Sequence, residues 1–171
     1  MRTAVFPLLA AGLSFGLLAG AQIDRAPWLI WNASASVPVG LYVVRPLRAP
    51  SRGDLVAVRL PDNIAAFVVA RGYVGVDTLL LKHVAAVEGM TVCRDGLVIT
   101  IDGTVVAQAV RFDRQARPLP RWAGCVVLGP DAVFLLIADV PDSLDGRYFG
   151  PLNSAAILGR AVPIWTRGGD E

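Results

Sequence analysis

A single lysine stands out among the charged side chains of this 171-residue chain. Apart from His83, every other basic side chain is an arginine, and Lys82 lies inside the apolar run "LLLKHVAAV" at 79–87. An arginine stays protonated in proteins, whereas burial in apolar surroundings disfavours the lysine cation and yields a neutral amine. A neutral amine is a general base, so Lys82 is a candidate for proton-transfer chemistry. The ordinary alternative is a strand lysine whose ammonium group reaches water.

A serine that such a base could activate lies in the stretch "NASASVPVGLYVV" at 32–44. Pro38 and Gly40 predict an extended, turning backbone that holds the Ser36 hydroxyl at the edge of a strand. His83 is the only histidine, and its side chain should point to the strand face opposite that of Lys82. This arrangement argues against a Ser-His-Asp triad. Ser36 and Lys82 are therefore the predicted nucleophile and base. An ordinary turn serine is the alternative for Ser36.

The elements that must position these two residues are predicted to be mainly β-strands. Asp102-Gly103 predicts a hairpin turn, and one helix is predicted in "DNIAAFVVARGY", capped by Asp62 and ended by Gly72. The chain shows no repeat and no low-complexity linker, which indicates one domain at 24–171 after the apolar start. Short strand-like runs occupy 40–44, 54–60, 79–87, 97–101, 104–108, 125–128 and 132–137.

A long connection rich in proline and arginine, "AVRFDRQARPLPRWAG", lies at 109–124. Its four arginines could suggest nucleic acid, but the net charge of the chain is only +2 and no nucleic-acid-binding motif accompanies them. We therefore predict no nucleic-acid partner and a solvated loop, which could also border a substrate groove because long loops in compact domains are often functional. The arginines are Arg111, Arg114, Arg117 and Arg121.

The amino-terminal segment predicts contact with a lipid bilayer. The chain is 54% hydrophobic with a mean hydropathy of +0.55, and the run from 3 to 23 has no charge and is long enough to span a membrane as a helix. Arg2 before it favours a cytoplasmic amino terminus and an exported body, which predicts an anchor at 1–23 in a bacterial inner membrane and a periplasmic domain. A cleaved signal ending at the A-x-A of 19–21 is the alternative. Trp28 and Trp31 lie where an interfacial aromatic belt would sit, unless they pack in the core.

Export determines how the two cysteines are interpreted. Cys93 and Cys125 are 32 positions apart, neither belongs to a C-x-x-C pair, and the chain has one histidine, so a zinc site is improbable. In an oxidising compartment we predict a disulfide between them, with two buried free thiols as the alternative. Closing a loop of this length contributes roughly 3 to 4 kcal/mol on the chain-entropy model.

Three segments together resemble the signal peptidase family, and within it the conjugative-transfer peptidases of the TraF type. They are "SASVPVGLY" around Ser36, "LLKHVAAVEG" around Lys82, and "PDSLDGRYFGPL" at 141–152. The resemblance covers nearly the whole chain and implies a mainly β, signal-peptidase-like fold with one short helix, preceded by an amino-terminal transmembrane helix. It also implies a serine endopeptidase that needs neither a metal nor a cofactor and acts on precursor proteins.

The resemblance also implies roles for individual positions. Ser36 matches the nucleophile and Lys82 the general base, while the Ser34 hydroxyl matches the group that joins the Ser36 backbone N–H in the oxyanion hole. Ser143 matches a residue that hydrogen-bonds the catalytic amine. Asp145 and Arg147 match a salt-bridged pair that braces the site, and Gly146 departs from the serine usual at its position.

The substrate expected from the resemblance is an exported precursor, in particular a conjugative pilin precursor, bound as an extended strand with small residues before the cleaved bond. The product is then a linear chain or a pilin joined into a ring. A general type I signal peptidase and a non-enzymatic, membrane-anchored assembly module are the alternatives. A self-cleaving repressor-type Ser-Lys protease would carry a DNA-binding domain, for which the sequence gives no sign.

Overall fold

The structure is a computed structural model in which residues 28–167 are described. The predicted membrane segment at 3–23 lies outside the described residues. Among residues 28–167, no helix is both long enough and apolar enough to cross a bilayer.

Strands dominate residues 28–167, as predicted. Two short α-helices, α1 (Asp62–Ala70) and α2 (Gly146–Phe149), and a 3₁₀ turn at Ser154–Ala156 interrupt them. The strands are β1 (Leu29–Asn32), β2 (Gly40–Arg45), β3 (Leu55–Val58), β4 (Leu80–Ala86), β5 (Thr91–Asp95), β6 (Val98–Ile101), β7 (Thr104–Gln108), β8 (Gly124–Val127), β9 (Ala132–Leu136), β10 (Leu152–Asn153) and β11 (Ile157–Thr166).

The strands form two antiparallel sheets. The larger has the order β1-β2-β11-β3-β4-β9-β10, and the smaller has the order β7-β6-β5-β8. The inner face of the smaller sheet packs against β4 and β9 of the larger one. One buried apolar cluster joins them, made of Ala86, Val92, Ile99, Ile101, Leu128, Phe134 and Leu136. This packing places β4, which carries Lys82, well inside the molecule rather than at a sheet edge.

The predicted hairpin and helix are present, with one change at the helix start. Asp102 and Gly103 both have positive φ angles, 49° and 78°, as a two-residue type I′ turn requires. Gly72 follows α1 with φ 69° and donates its N–H to the Val69 carbonyl, so it ends the helix as predicted. The prediction that Asp62 is the N-cap of this helix was wrong. The N-cap is Pro61, and Asp62 is instead the first helical residue, where its charge still favours the helix dipole.

Cys93 and Cys125 form a disulfide, with their Cα atoms 4.0 Å apart. They are direct partners across β5 and β8, and β8 is an edge strand of the smaller sheet. The disulfide therefore fastens the strand that follows the connection at 109–123.

Candidate active site

The predicted nucleophile lies in the short loop between β1 and β2. Residues 33–39 connect these two antiparallel strands, and Ser36 is half-buried in this loop. Gly40 begins β2, and a Cβ there would lie 2.1 Å from the Trp165 carbonyl oxygen. The glycine is needed because β11 passes this close, rather than for a special backbone turn.

Lys82 comes from the middle of the larger sheet. It pairs with Val56 of β3, and its side chain is only 5% exposed. Its Nζ lies 3.5 Å from Ser36 Oγ and 2.8 Å from Ser143 Oγ. The structure thus brings Lys82 together with two serines that are 46 and 61 positions away from it in the chain. His83 is exposed and contacts the Gly53 carbonyl.

The loop that carries Ser143 is held by a buried ion pair. Arg147 bonds both carboxylate oxygens of Asp145, at 2.9 and 2.8 Å, and neither side chain is more than 1% exposed. Arg147 also donates to three backbone carbonyls of the same loop, from Nη2 to those of Ile137 and Val140 and from Nη1 to that of Pro141. Because the pair is fully hydrogen-bonded, it can fix the loop around Ser143 without leaving a buried charge unpartnered.

Burial changes the protonation of Lys82. Desolvation lowers the pKa of the Lys82 ammonium from 10.5 to about 8; the nearby Asp145 opposes this and Arg147 adds to it. At pH 7 about a tenth of the amine is therefore neutral, compared with well under a thousandth for an exposed lysine. This is the environment that a general base operating near neutral pH requires.

The pH profile of cleavage should report this pKa. Only neutral Lys82 can accept a proton, so we expect kcat/KM to rise about tenfold per pH unit below pH 8 and to level off above it. Initial rates measured from pH 6 to 10 test the expectation. A flat profile across that range would contradict a titrating base.

The lowered pKa of Lys82 should also make the stability of the protein depend on pH, even without substrate. Between about pH 8 and 10.5 the unfolded chain holds a proton on Lys82 that the folded chain has lost, so the free energy of unfolding should rise with pH by up to about 1.4 kcal/mol per unit. Lys82→Met removes the titrating group and should lose that rise. Denaturant unfolding of both proteins at several pH values tests this. Because no substrate is present, groups that titrate only during catalysis do not contribute.

The two predicted oxyanion-hole donors lie side by side. The Ser34 hydroxyl is exposed and lies 2.8 Å from Ser36 Oγ, and it accepts the Ser36 backbone N–H at 3.3 Å. In the free protein the Ser36 N–H therefore donates to the Ser34 hydroxyl oxygen, and the two serine hydroxyls hydrogen-bond to each other. A substrate oxyanion would have to replace their mutual contact, which is possible because Ser34 Oγ faces the open side of the site.

Ser34→Ala should lower kcat about 10²- to 10³-fold, the usual cost of removing one oxyanion-hole donor, with little change in KM. Ser51, an exposed serine between β2 and β3, is the matched control, and its alanine variant should keep wild-type rates. Steady-state kinetics on both variants test the assignment. Equal rates for the two variants would remove Ser34 from the oxyanion hole.

Gly146 has a steric reason to lack a side chain. A Cβ at this position would lie 2.6 Å from Phe134 Cε2 and 2.7 Å from the Leu135 carbonyl oxygen. The Gly146 carbonyl accepts the Trp122 indole N–H at 3.0 Å, so the backbone is held on its other side as well. The serine expected from the resemblance has no room here.

The cluster opens into a cleft of about 700 Å³. Its lining includes Ser34, Ser36, Lys82 and Ser143, together with the end of α1 and residues of the connection between 110 and 119. The prediction that this connection borders a groove agrees with this lining. Arg114 and Asp142, which both belong to the lining, form an ion pair.

The prediction of a solvated loop holds for only part of the connection. Arg111, Arg114 and Arg121 are exposed, but Arg117 is half-buried. Arg117 bonds the Asp113 carboxylate at 2.7 Å and the Arg71 carbonyl, which docks the connection on the end of α1. Sequence reasoning missed this docking because it depends on partners 46 positions away.

The predicted aromatic belt is on the surface. Trp28 and Trp31 are 74% and 54% exposed, so the core-packing alternative was wrong. Trp31 stacks on Trp165 of β11, itself 52% exposed, with ring centroids 5.9 Å apart. Within residues 28–167, histidine, cysteine and carboxylate side chains do not gather into a group that could hold a metal ion.

Comparison with known proteins identifies the family. The model for signal peptidase, peptidase S26, matches residues 1–166, so the chain belongs to this peptidase family, as the three motifs predicted. It is 32% identical over 170 residues to the plasmid transfer protein TraF of Escherichia coli, covering 93% of this chain and 89% of the relative. It is 33% identical to the conjugal transfer protein TraF of Agrobacterium fabrum (93% and 90% covered) and 36% identical to the probable conjugal transfer protein TraF of Sinorhizobium fredii (94% and 90%).

Among solved structures the chain is similar to a signal peptidase I from Enterococcus faecalis. The match is 19% identical, covers 67% of this chain and 97% of that chain, and has a TM-score of 0.37. An overall similarity this low carries no argument about the site.

Proposed function

We propose that this protein is a membrane-anchored serine endopeptidase with a Ser-Lys dyad that processes exported precursor proteins. One observation carries the proposal: a buried lysine with a lowered pKa lies beside a serine hydroxyl, and both line an open cleft. Membership of the peptidase S26 family supports the same chemistry.

Ser36 is the nucleophile and Lys82 the general base. The neutral amine donates an N–H to Ser143, which fixes its rotamer and leaves the nitrogen lone pair free for the Ser36 proton. As that proton moves to Nζ, Ser36 Oγ attacks the scissile carbonyl and the Ser34 hydroxyl and Ser36 N–H hold the oxyanion. The ammonium then protonates the leaving amine, the scissile C–N bond breaks, and an acyl-enzyme ester remains on Ser36. Water resolves the ester by the reverse sequence of proton transfers.

The body, residues 24–171, works on the periplasmic side of a bacterial inner membrane, and the segment at 1–23 is a retained anchor in the lipid bilayer. The disulfide supports export, because disulfides persist in oxidising compartments. The exposed Trp28 and Trp31, which lie within eight residues of the end of the apolar segment, support a position at the membrane surface.

The substrate is a conjugative pilin precursor, and the names of the relatives, which are transfer proteins, support this choice over a general type I signal peptidase. The acyl-enzyme can be resolved by water or by the pilin's own amino terminus. In the second case the amine nitrogen bonds to the ester carbonyl and gives its proton to Lys82, which returns it to Ser36 Oγ as that oxygen leaves, so the product is a ring. A bound amine has an effective concentration that competes with bulk water.

The test is to incubate full-length protein in detergent micelles with a conjugative pilin precursor and to weigh the product. Wild-type protein should cleave, and Ser36→Ala, which removes the nucleophile, should not; Ser51→Ala should cleave normally. A mature pilin lighter by one water than the linear cleaved chain, with a blocked amino terminus, indicates ring closure, and a free carboxyl end indicates hydrolysis. If wild-type and Ser36→Ala proteins both leave every precursor intact, the protein is a non-enzymatic assembly module.

A further inference from the structure

A buried amide lies directly beneath the proposed nucleophile. Asn32 is the last residue of β1, opposite Gly40 in the register with β2, and is 7% exposed. It closes the base of the loop at 33–39. None of the three motif matches assigns it a role.

The Asn32 side chain holds the loop from both sides of Ser36. Its Nδ2 donates to the Ser34 carbonyl at 2.8 Å and to the carbonyls of Val37 and Pro38 at 3.1 Å each. Its Oδ1 accepts the Ser34 backbone N–H at 3.1 Å. One side chain thus binds the residues before and after the nucleophile and uses its donors and its acceptor together.

The chemistry of these contacts selects asparagine. Three carbonyls require a donor and the Ser34 N–H requires an acceptor, and only an amide of this length offers both within one planar group. An aspartate has nearly the same shape, but when ionised it can only accept, so it would face three carbonyl oxygens with no hydrogen to give. An alanine would leave backbone groups of a tight loop without partners, at a cost typical of unsatisfied buried groups.

We propose that Asn32 is a positioning residue for catalysis. It fixes the loop so that Ser36 Oγ meets Lys82 Nζ while the Ser34 hydroxyl and the Ser36 N–H stay together on the open side. Asn32 touches neither the substrate nor the reacting atoms. The inference rests on the proposed function.

A positioning role for Asn32 predicts an effect on kcat rather than on KM. The substrate binds in the cleft, to which Asn32 contributes no lining, whereas a displacement of the nucleophile by about 1 Å typically costs 10²-fold in rate. Asn32→Asp should therefore lower kcat about 10²-fold with KM within twofold of wild type. In Asn32→Ala, which adds no charge, the pH at which the rate levels off should stay near 8, because burial, Asp145 and Arg147 set the pKa of Lys82.

The experiment compares wild-type, Asn32→Asp, Asn32→Ala, Ser36→Ala and Asn153→Ala proteins, full-length in detergent micelles. The substrate is a quenched fluorescent peptide that spans the cleavage site of the pilin precursor. Asn153 is the matched control, since its side chain also binds backbone, the Ala155 N–H at 2.8 Å, but lies at the 3₁₀ turn. Each rate is measured 15 °C below that variant's own Tm, so that partial unfolding contributes equally.

The expected result is a kcat loss in both Asn32 variants and none in Asn153→Ala. Combining Asn32→Asp with Ser34→Ala should cost less than the product of the two single losses, because both act on the same oxyanion donor. Wild-type kcat in Asn32→Asp, alongside an inactive Ser36→Ala, overturns this inference alone. An active Ser36→Ala or an inactive wild-type protein overturns the proposed function and this inference with it.

Discussion

Lys82→Arg should abolish precursor cleavage although it preserves the positive charge. Arginine cannot give up its proton in a protein, so the variant has no group able to take the Ser36 proton. Losing general-base catalysis costs about 10² to 10⁴ in rate. The measurement is the kcat of the full-length variant on the pilin precursor from pH 6 to 10. Raising the pH should not restore activity, because no accessible pH deprotonates arginine.

A second substitution separates lost chemistry from lost folding. Lys82→Met has a similar length, no charge and no cost of desolvating a cation, so it should fold at least as well as the wild-type protein while being equally inactive. Ser36→Ala combined with Lys82→Met should be no slower than either alone, because the two residues act as one unit. Substantial cleavage by a folded Lys82→Met protein would remove Lys82 from the proposed mechanism.

Arg147→Ala should destabilise the protein by about 3 to 5 kcal/mol, the usual effect of removing one partner from a buried ion pair. The Asp145 carboxylate would keep only the backbone N–H groups of Ile137 and Arg147, and three carbonyls of the Ser143 loop would lose their donor. Tm should fall by about 10 °C or more. Thermal and denaturant unfolding, followed by circular dichroism, test this.

Arg114→Ala is the matched control, because it also removes an arginine from a pair with aspartate. The Arg114 side chain is 87% exposed and its partner Asp142 48% exposed, and exposed pairs contribute about 0 to 1 kcal/mol. Arg114→Ala should therefore keep nearly wild-type stability. A similar small loss in both variants would mean that Arg147 is not the brace of the Ser143 loop.

The sequence predicted the elements of the fold that local sequence patterns alone determine. The hairpin at Asp102-Gly103 and β4 follow from turn chemistry and from an apolar run with β-branched residues. The longest strand, β11, was missed because Gly159 and Pro163 normally interrupt strands. In the structure Gly159 is needed because a Cβ would lie 2.4 Å from the Arg45 carbonyl, and Pro163 lies at a register shift. Both reasons depend on neighbouring strands, which the local sequence does not reveal.

The sequence predicted those residues of the candidate site whose type is unusual for their surroundings. A lone lysine in an apolar run conflicts with ordinary composition, and this conflict pointed to Lys82. Asn32 gave no such signal, because an asparagine before a turn is common and its contacts to Val37 and Pro38 appear only once the loop is folded. The pair of Arg114 with Asp142 joins residues 28 positions apart on two loops, and nothing in either segment specifies the partner.

The close packing at Gly146 has a consequence for how this sequence can diverge. A serine cannot enter at position 146 by a single substitution, because Phe134 could turn aside or be replaced but the Leu135 carbonyl belongs to the backbone of β9. Homologous chains with serine at the position of Gly146 must therefore carry a smaller residue at the position of Phe134 and a strand β9 that runs further from α2. We expect the two positions to vary together across the family, so that glycine accompanies a large aromatic residue and serine accompanies a small one.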